Sequence, residues 1–143
     1  MKIRKGTEAD FEAVLEMIKE LALFEREPYA VINNIERMRE EKKYFEFFVA
    51  EVEGEIVGMA LYFFAYYTWV GKSLYLDDLY VKPEYRGMSI GKALLEKIIE
   101  VTKKEKCRRI RWQVLEWNTS AIEFCKKMNA SLSQEWINCD LHF

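Results

Sequence analysis

The stretch from Ser73 to Val114 constrains the fold more than any other part of the chain. Ser73 to Val81 is rich in aromatic and aliphatic residues and reads as a strand, and Pro83 ends it because proline cannot donate to a ladder. Ile90 to Lys104 then places Ile90, Ala93, Leu94, Ile98 and Val101 on one helical face, with lysines and glutamates opposite. Ile110, Trp112 and Val114 alternate as a strand should. A strand, an amphipathic helix and a strand within about 40 residues form a βαβ unit, whose strands must run parallel with a right-handed crossover. The chain is therefore α/β.

The remaining segments fit around that unit as one domain, residues 1–143. Half the residues are hydrophobic and 15% are aromatic, enough for a core without disulfide or metal support. Lys2–Lys5 reads as a short strand, and Thr7 with Asp10 as a capping box. Phe11, Val14, Leu15, Ile18, Leu21 and Ala22 then carry a helix to about Phe24. A more charged helix is expected from Asn33 or Asn34 to Lys43, after the break at Pro28. Strands follow over Tyr44–Val52 and Ile56–Tyr66, joined by a turn at Glu53-Gly54. A short helix over Thr119–Met128 and a last strand over Trp136–Phe143 complete the expectation.

Charge and cysteine content exclude several functions. With 22 Lys and Arg against 24 Asp and Glu, the chain lacks the basic excess of a nucleic-acid binder. No apolar run approaches the roughly 18 residues of a membrane span. The opening Met1-Lys2-Ile3-Arg4-Lys5-Gly6 is not a secretory signal, so the cytoplasm is the expected compartment. Three cysteines without paired spacing and a single histidine offer no zinc site, so no metal is expected. Residues 8–55 hold 14 acidic and 6 basic side chains, whereas residues 82–111 hold 10 basic and 4 acidic ones. Solvated helix faces explain such a pattern, and so does an anionic ligand at one end with a cationic one at the other.

The most specific local feature is Val81-Lys82-Pro83-Glu84-Tyr85-Arg86-Gly87-Met88-Ser89-Ile90-Gly91-Lys92, between the strand and the helix. Small residues at 87, 89 and 91 let a ligand approach the backbone, and helix N-terminal N–H groups favour an anion. Arg86 and Lys92 add positive charge. The segment is neither a P-loop, with three rather than four residues between Gly87 and Gly91, nor a dinucleotide fingerprint. Its residues alone fit a pyrophosphate cradle or a glycine-containing turn before an ordinary helix.

Tyr85-Arg86-Gly87-Met88-Ser89-Ile90-Gly91 resembles the acetyl-CoA motif of the GNAT acyltransferases. Leu21-Ala22-Leu23-Phe24-Glu25, Thr68-Trp69-Val70-Gly71-Lys72, Tyr75-Leu76-Asp77-Asp78-Leu79-Tyr80-Val81 and Glu116-Trp117-Asn118 are similar to its diamine acetyltransferase branch, which includes the spermidine/spermine and thialysine enzymes. The resemblance runs from about Ile3 to Trp136. It implies a mixed sheet of six or seven strands, splayed at the coenzyme site and flanked by about four helices. It also implies direct acetyl transfer from acetyl-CoA to a primary amine, in a homodimer.

Residue by residue, the resemblance puts the pantetheine arm against the strand Leu79-Tyr80-Val81, through the backbone of Leu79 and Val81, and gives the same strand a bulge whose amide polarises the thioester carbonyl. The pyrophosphate falls to Arg86, Gly87, Met88, Ser89, Ile90, Gly91 and Lys92, and Asn118 starts a helix beside the coenzyme. Asp77 stands where the branch has Glu and would help to deprotonate the amine. Its neighbour Asp78 is expected on the opposite face by strand alternation. A capping or salt-bridging pair at a strand end is the plainer reading of both. Phe24, Glu25, Trp69, Trp112, Gln113 and Trp136 complete the substrate side, although the tryptophans serve equally as core or dimer interface.

Three positions depart from the family. Cys125 replaces the tyrosine that would protonate the leaving thiolate, so Cys125 is that acid, or water is, or the site is impaired; a small residue packed under the coenzyme is the plainer reading. Ser89 replaces a glycine, which costs about 1 kcal/mol or more if its φ is positive. Tyr67 replaces an Asp of the polyamine enzymes, which favours a small amine or amino-acid side chain over spermine. A weakened coenzyme-binding sensor or scaffold, or an acetyltransferase of protein lysines or N-termini, are the alternative readings.

Overall fold

The computed structural model describes residues 1–143 and divides into two compact units, Met1–Gln113 and Val114–Phe143. In the first, five strands lie in the order β1 (Lys2–Lys5), β2 (Glu46–Val52), β3 (Glu55–Tyr67), β4 (Gly71–Val81) and β5 (Ile110–Arg111). The first four are antiparallel, and β5 runs parallel to β4 as the βαβ reading requires. The mixed sheet thus has five strands rather than six or seven. Glu53 and Gly54 both have positive φ, the twist-matched geometry of a two-residue hairpin turn between β2 and β3.

Alternation along the strands sorts the helices. Phe47 pairs with Leu61 and Val49 with Met59, and these four form one core with Phe11, Val14, Leu15 and Met17 of α1 (Phe11–Phe24) and Met38 of α2 (Ile35–Glu40). On the other face, Gly58 lies so close to α3 (Ile90–Lys104) that a Cβ there would stand 3.3 Å from Leu94 Cδ1. Leu94, Leu95 and Ile98 bury that side. The sheet is therefore a layer covered on both faces, which leaves its edges and strand ends for chemistry.

The start of α1 is pinned by the capping box. Asp10 accepts from the Thr7 N–H at 2.8 Å and takes both terminal nitrogens of Arg4 at 2.8 Å. Arg4 and Thr7 hold the buried Asp10 carboxyl below the usual carboxylate range. The second helix is shorter than its charge pattern suggests. Asn34 caps it, and after Glu40 the chain tightens into a 3₁₀ turn, Lys42–Tyr44.

In the second unit, Asn118 caps α4 (Thr119–Lys127) by accepting from the Ala121 N–H at 3.2 Å. A Schellman turn ends the helix, with Asn129 at φ +62° and the Ala130 N–H donating to Cys125 O. The strand expected over Trp136–Phe143 does not form. Trp136 and Ile137 are 72% and 88% exposed, and the segment joins no ladder. Its aromatic and aliphatic content raises β propensity, but that propensity measures fit to a half-buried sheet, which is missing here.

Candidate active site

Two properties of β4 create the site. β5 pairs only with Leu74 and Tyr75, so from Leu76 to Val81 the strand carries no partner on the side away from β3. The Lys82 N–H bonds Val57 O at 2.8 Å, and the register continues through Tyr80↔Met59 and Asp78↔Leu61. Antiparallel alternation therefore turns the N–H and C=O groups of Leu79 and Val81 toward the open side. This is the splay that the family resemblance anticipates, and it is a place where an extended ligand can be bonded as a further strand.

The second property is a bulge. Tyr62 pairs with Leu76 while Leu61 pairs with Asp78, which leaves Asp77 as the extra residue. A bulge sets two consecutive residues against one partner and re-aims their side chains. Asp77 and Asp78 accordingly line the same cavity, of about 280 Å³, and the expectation that they face opposite sides is corrected. Leu15 and Ile18 of α1, Val31 and Asn33 between α1 and α2, and Phe63 of β3 are among its other walls. None of these five stood out in the sequence, because Leu15 and Ile18 belong to an ordinary core stripe and residues 28–34 have no periodicity to read.

The cavity is electrostatically biased. No basic side chain pairs with either aspartate. Burial, followed by the charges of Asp77 and Glu25, pushes the Asp78 carboxyl up to about 7. Burial raises Asp77, and burial together with Asp77 raises Glu25, the residue that ends α1. Two aspartates on an apolar cavity wall, with the Glu25 charge acting on Asp78 from outside its lining, are made costly to ionise and favour a cation that would relieve the repulsion.

At the far end of β4 the 3₁₀ turn Pro83–Tyr85 leads into α3. Gly87 has φ +80°, which only glycine adopts without cost. Ser89 has φ +63° and caps α3 without a side-chain bond. The first helical bond runs from the Ala93 N–H to Ser89 O, so the N–H groups of Ile90, Gly91 and Lys92 have no partner within the helix. Arg86 to Ser89 are exposed, as is Lys92. Arg86 does more than add charge: its Nε donates to Val81 O at 3.0 Å, and its guanidinium lies 5.5 Å from the Tyr80 ring and 6.0 Å from that of Phe24.

The structure thus places Asp77 and Asp78 on the cavity, with Glu25 acting on Asp78 by charge without lining it, and joins Phe24, Tyr80 and Arg86. It does not bring Trp69 to the cavity, since that side chain is 87% exposed on the β3–β4 turn. Trp112 and Gln113 fall just after β5, which stops at Arg111 rather than Val114, and they do not line the cavity either. Asn118, Cys125 and Trp136 belong to the second unit, where Cys125 is 4% exposed on α4. No cluster of side chains suited to a metal ion is present, and no helix is long and apolar enough to cross a membrane.

Comparison with known proteins agrees with this geometry. A family model described as the acetyltransferase (GNAT) family matches residues 11–130. Thialysine N-epsilon-acetyltransferase of Sus scrofa is 39% identical over 140 residues, covering 90% of this chain and 82% of that protein. The protein of the same name from Caenorhabditis elegans is 36% identical over 130 residues, covering 87% and 81%. Among solved structures, an aminoglycoside acetyltransferase from an uncultured soil metagenomic sample, in complex with sisomicin, superposes with a TM-score of 0.81. It covers 99% of this chain and 95% of that one at 18% identity, and so speaks for the fold alone.

Proposed function

The chain belongs to the GNAT acetyltransferase family and is an N-acetyltransferase, and from that premise we propose that it moves the acetyl group of acetyl-CoA to a small primary amine of the thialysine type. The observation that carries the proposal is the juxtaposition on β4 of an open backbone edge and a carboxylate-lined cavity. GNAT enzymes draw the acetyl group from acetyl-CoA. The Leu79 and Val81 backbone is suited to pair with its pantetheine arm, and the turn from Arg86 to Lys92 to hold its pyrophosphate on free N–H groups.

The amine side follows from charge. An alkylammonium with a pKa near 10 is almost wholly protonated at pH 7, and only the neutral amine attacks a thioester. Asp77, with Glu25 and Asp78 beside it, attracts the ammonium and accepts its proton. The attacking nitrogen forms a bond to the acetyl carbon as the carbon–sulfur bond breaks. Cys125 is the candidate donor to the leaving sulfur, which water also serves. A cavity of about 280 Å³ lies at the small end for ligand sites, in keeping with a short alkylamine rather than a long polycation. A homodimer in the cytoplasm completes the proposal.

The test is a mass-spectrometric assay with acetyl-CoA and thialysine, lysine, putrescine, spermidine and a basic peptide at about pH 8–9, where neutral amine is less scarce. Acetylated thialysine or another small amine is the expected product. Product from the peptide alone would transfer the reading to protein acetylation. Coenzyme binding with no product from any acceptor would leave a sensor.

A further inference from the structure

The assignment of proton transfer to one aspartate does not use what the bulge does. Without it, Asp78 would face away from Asp77; with it, both residues line the same cavity from adjacent positions on β4. We propose that Asp78 is a further catalytic residue, and that the ionised Asp77–Asp78 pair, which takes up one proton between its two carboxylates, is the base that deprotonates the amine. This rests on the amine-acetyltransferase reading and deepens it.

The surroundings of Asp78 make the pair a unit. The titratable groups that act on it are Glu25, just past the end of α1, and on β4 Asp77 and the uncharged phenol of Tyr75. The elements that pack around the cavity otherwise present Leu15, Ile18, Met38, Phe45 and Phe63, none of which titrates. Burial is the larger cause that delays ionisation of Asp78 into the neutral range, and the charges of Asp77 and Glu25 add to it, with no lysine or arginine lining the cavity to relieve them. A base that ionises near neutrality is matched to its task, being free of its proton in the cell yet basic enough to draw one from an ammonium. An ordinary aspartate would be a far weaker base. Asp77 is the more exposed member and Asp78 the more enclosed, which gives the stored proton a route back to solvent.

The proton count closes. The ammonium gives one proton to the pair, the nitrogen forms its bond to the acetyl carbon and the carbon–sulfur bond breaks. The second proton leaves the new amide nitrogen and ends on the coenzyme sulfur. The pair then returns its proton to water.

The experiment is the pH profile of kcat/KM for the amine that the wild-type enzyme acetylates, with acetyl-CoA saturating, repeated in Asp78→Asn, Asp77→Asn and the double variant. The wild type is expected to lose activity as pH falls through about 7. Asp78→Asn is expected to lower kcat/KM about 100-fold and to move that limb down the pH axis, because the group held near 7 is gone and the remaining Asp77 is raised by burial alone. Asp77→Asn moves the limb down by less and does not abolish it, because burial still holds Asp78 up, and the double variant has none. An Asp78→Asn enzyme with the wild-type limb and rate overturns the proposal. So does an Asp77→Asn enzyme in which the limb vanishes, since Asp77 then acts alone; that arm is decisive even if Asp78→Asn fails to fold. A wild-type enzyme that acetylates no amine refutes the underlying functional reading instead, and the two failures are distinguishable.

Discussion

The two halves of β4 differ in what surrounds them. From Gly71 to Leu76 the strand lies against β3 and, at Leu74 and Tyr75, also against β5; Ser73, Leu74 and Leu76 are buried. From Asp77 to Val81 it keeps β3 but has no strand on its other side, and it begins with two carboxylates whose ionisation is opposed by burial. The first half is paired on both sides at Leu74 and Tyr75 and holds the fold. The second leaves the backbone groups of Leu79 and the N–H of Val81 without a strand partner, while Val81 O takes Arg86 Nε, and a folded protein tolerates such open groups where a ligand can bond them. One strand thus carries scaffold and chemistry in sequence, and a single extra residue marks the border.

Substitutions on either side of that border should separate stability from activity. The largest effect is expected in the closed half. Leu74 is fully buried, and Leu74→Ala should cost about 3 kcal/mol by lost burial and the cavity left behind. A thermal or urea melt measures it, and the folded fraction should keep the wild-type KM for the amine. Next comes Asp77→Asn in the open half, which should lower kcat/KM for the amine about 100-fold while leaving coenzyme affinity and the melting temperature within error of wild type. A large loss of stability there would break the comparison, because it would make Asp77 part of the scaffold.

A smaller effect is expected just past the open end. Ser89 is held at φ +63°, which costs an L-residue about 1–2 kcal/mol, while glycine loses more chain entropy on folding by about 0.4–1 kcal/mol. Ser89→Gly should therefore stabilise the protein by about 0.5–1 kcal/mol and bind acetyl-CoA no more weakly than wild type, as calorimetry would show. Destabilisation would mean that the serine hydroxyl does something in the turn that its backbone angle does not reveal.

How much of this could be read in the sequence follows from what each feature depends on. The helix over Ile90–Lys104 came out with the boundaries seen in the structure, because a long amphipathic stripe between a small-residue turn and a basic end is a local signal. The Thr7–Asp10 box and the parallel β4–β5 pairing were equally local or followed from chain handedness. The resemblance implies a bulge on this strand, but its place at Asp77 was not legible, and strand alternation put Asp78 on the wrong face. The cavity was missed for a related reason, since Val31, Asn33 and Phe63 meet only after α1, the irregular segment and β3 have packed. Arg86 was read as a charge for an anion, whereas its bond to Val81 O and its place beside Tyr80 and Phe24 depend on the folded turn. The segment Trp136–Phe143 shows the opposite error, strand-like composition without a sheet to join.

The most direct test of the account is amide hydrogen exchange along β4, resolved by residue, with and without coenzyme A. If the open half receives the coenzyme as a further strand, the Leu79 and Val81 amides should become protected on its addition, while those of Ser73 to Leu76 stay as they were. Coenzyme that binds yet leaves Leu79 and Val81 exchanging at their free rate would contradict the division of β4 into scaffold and site.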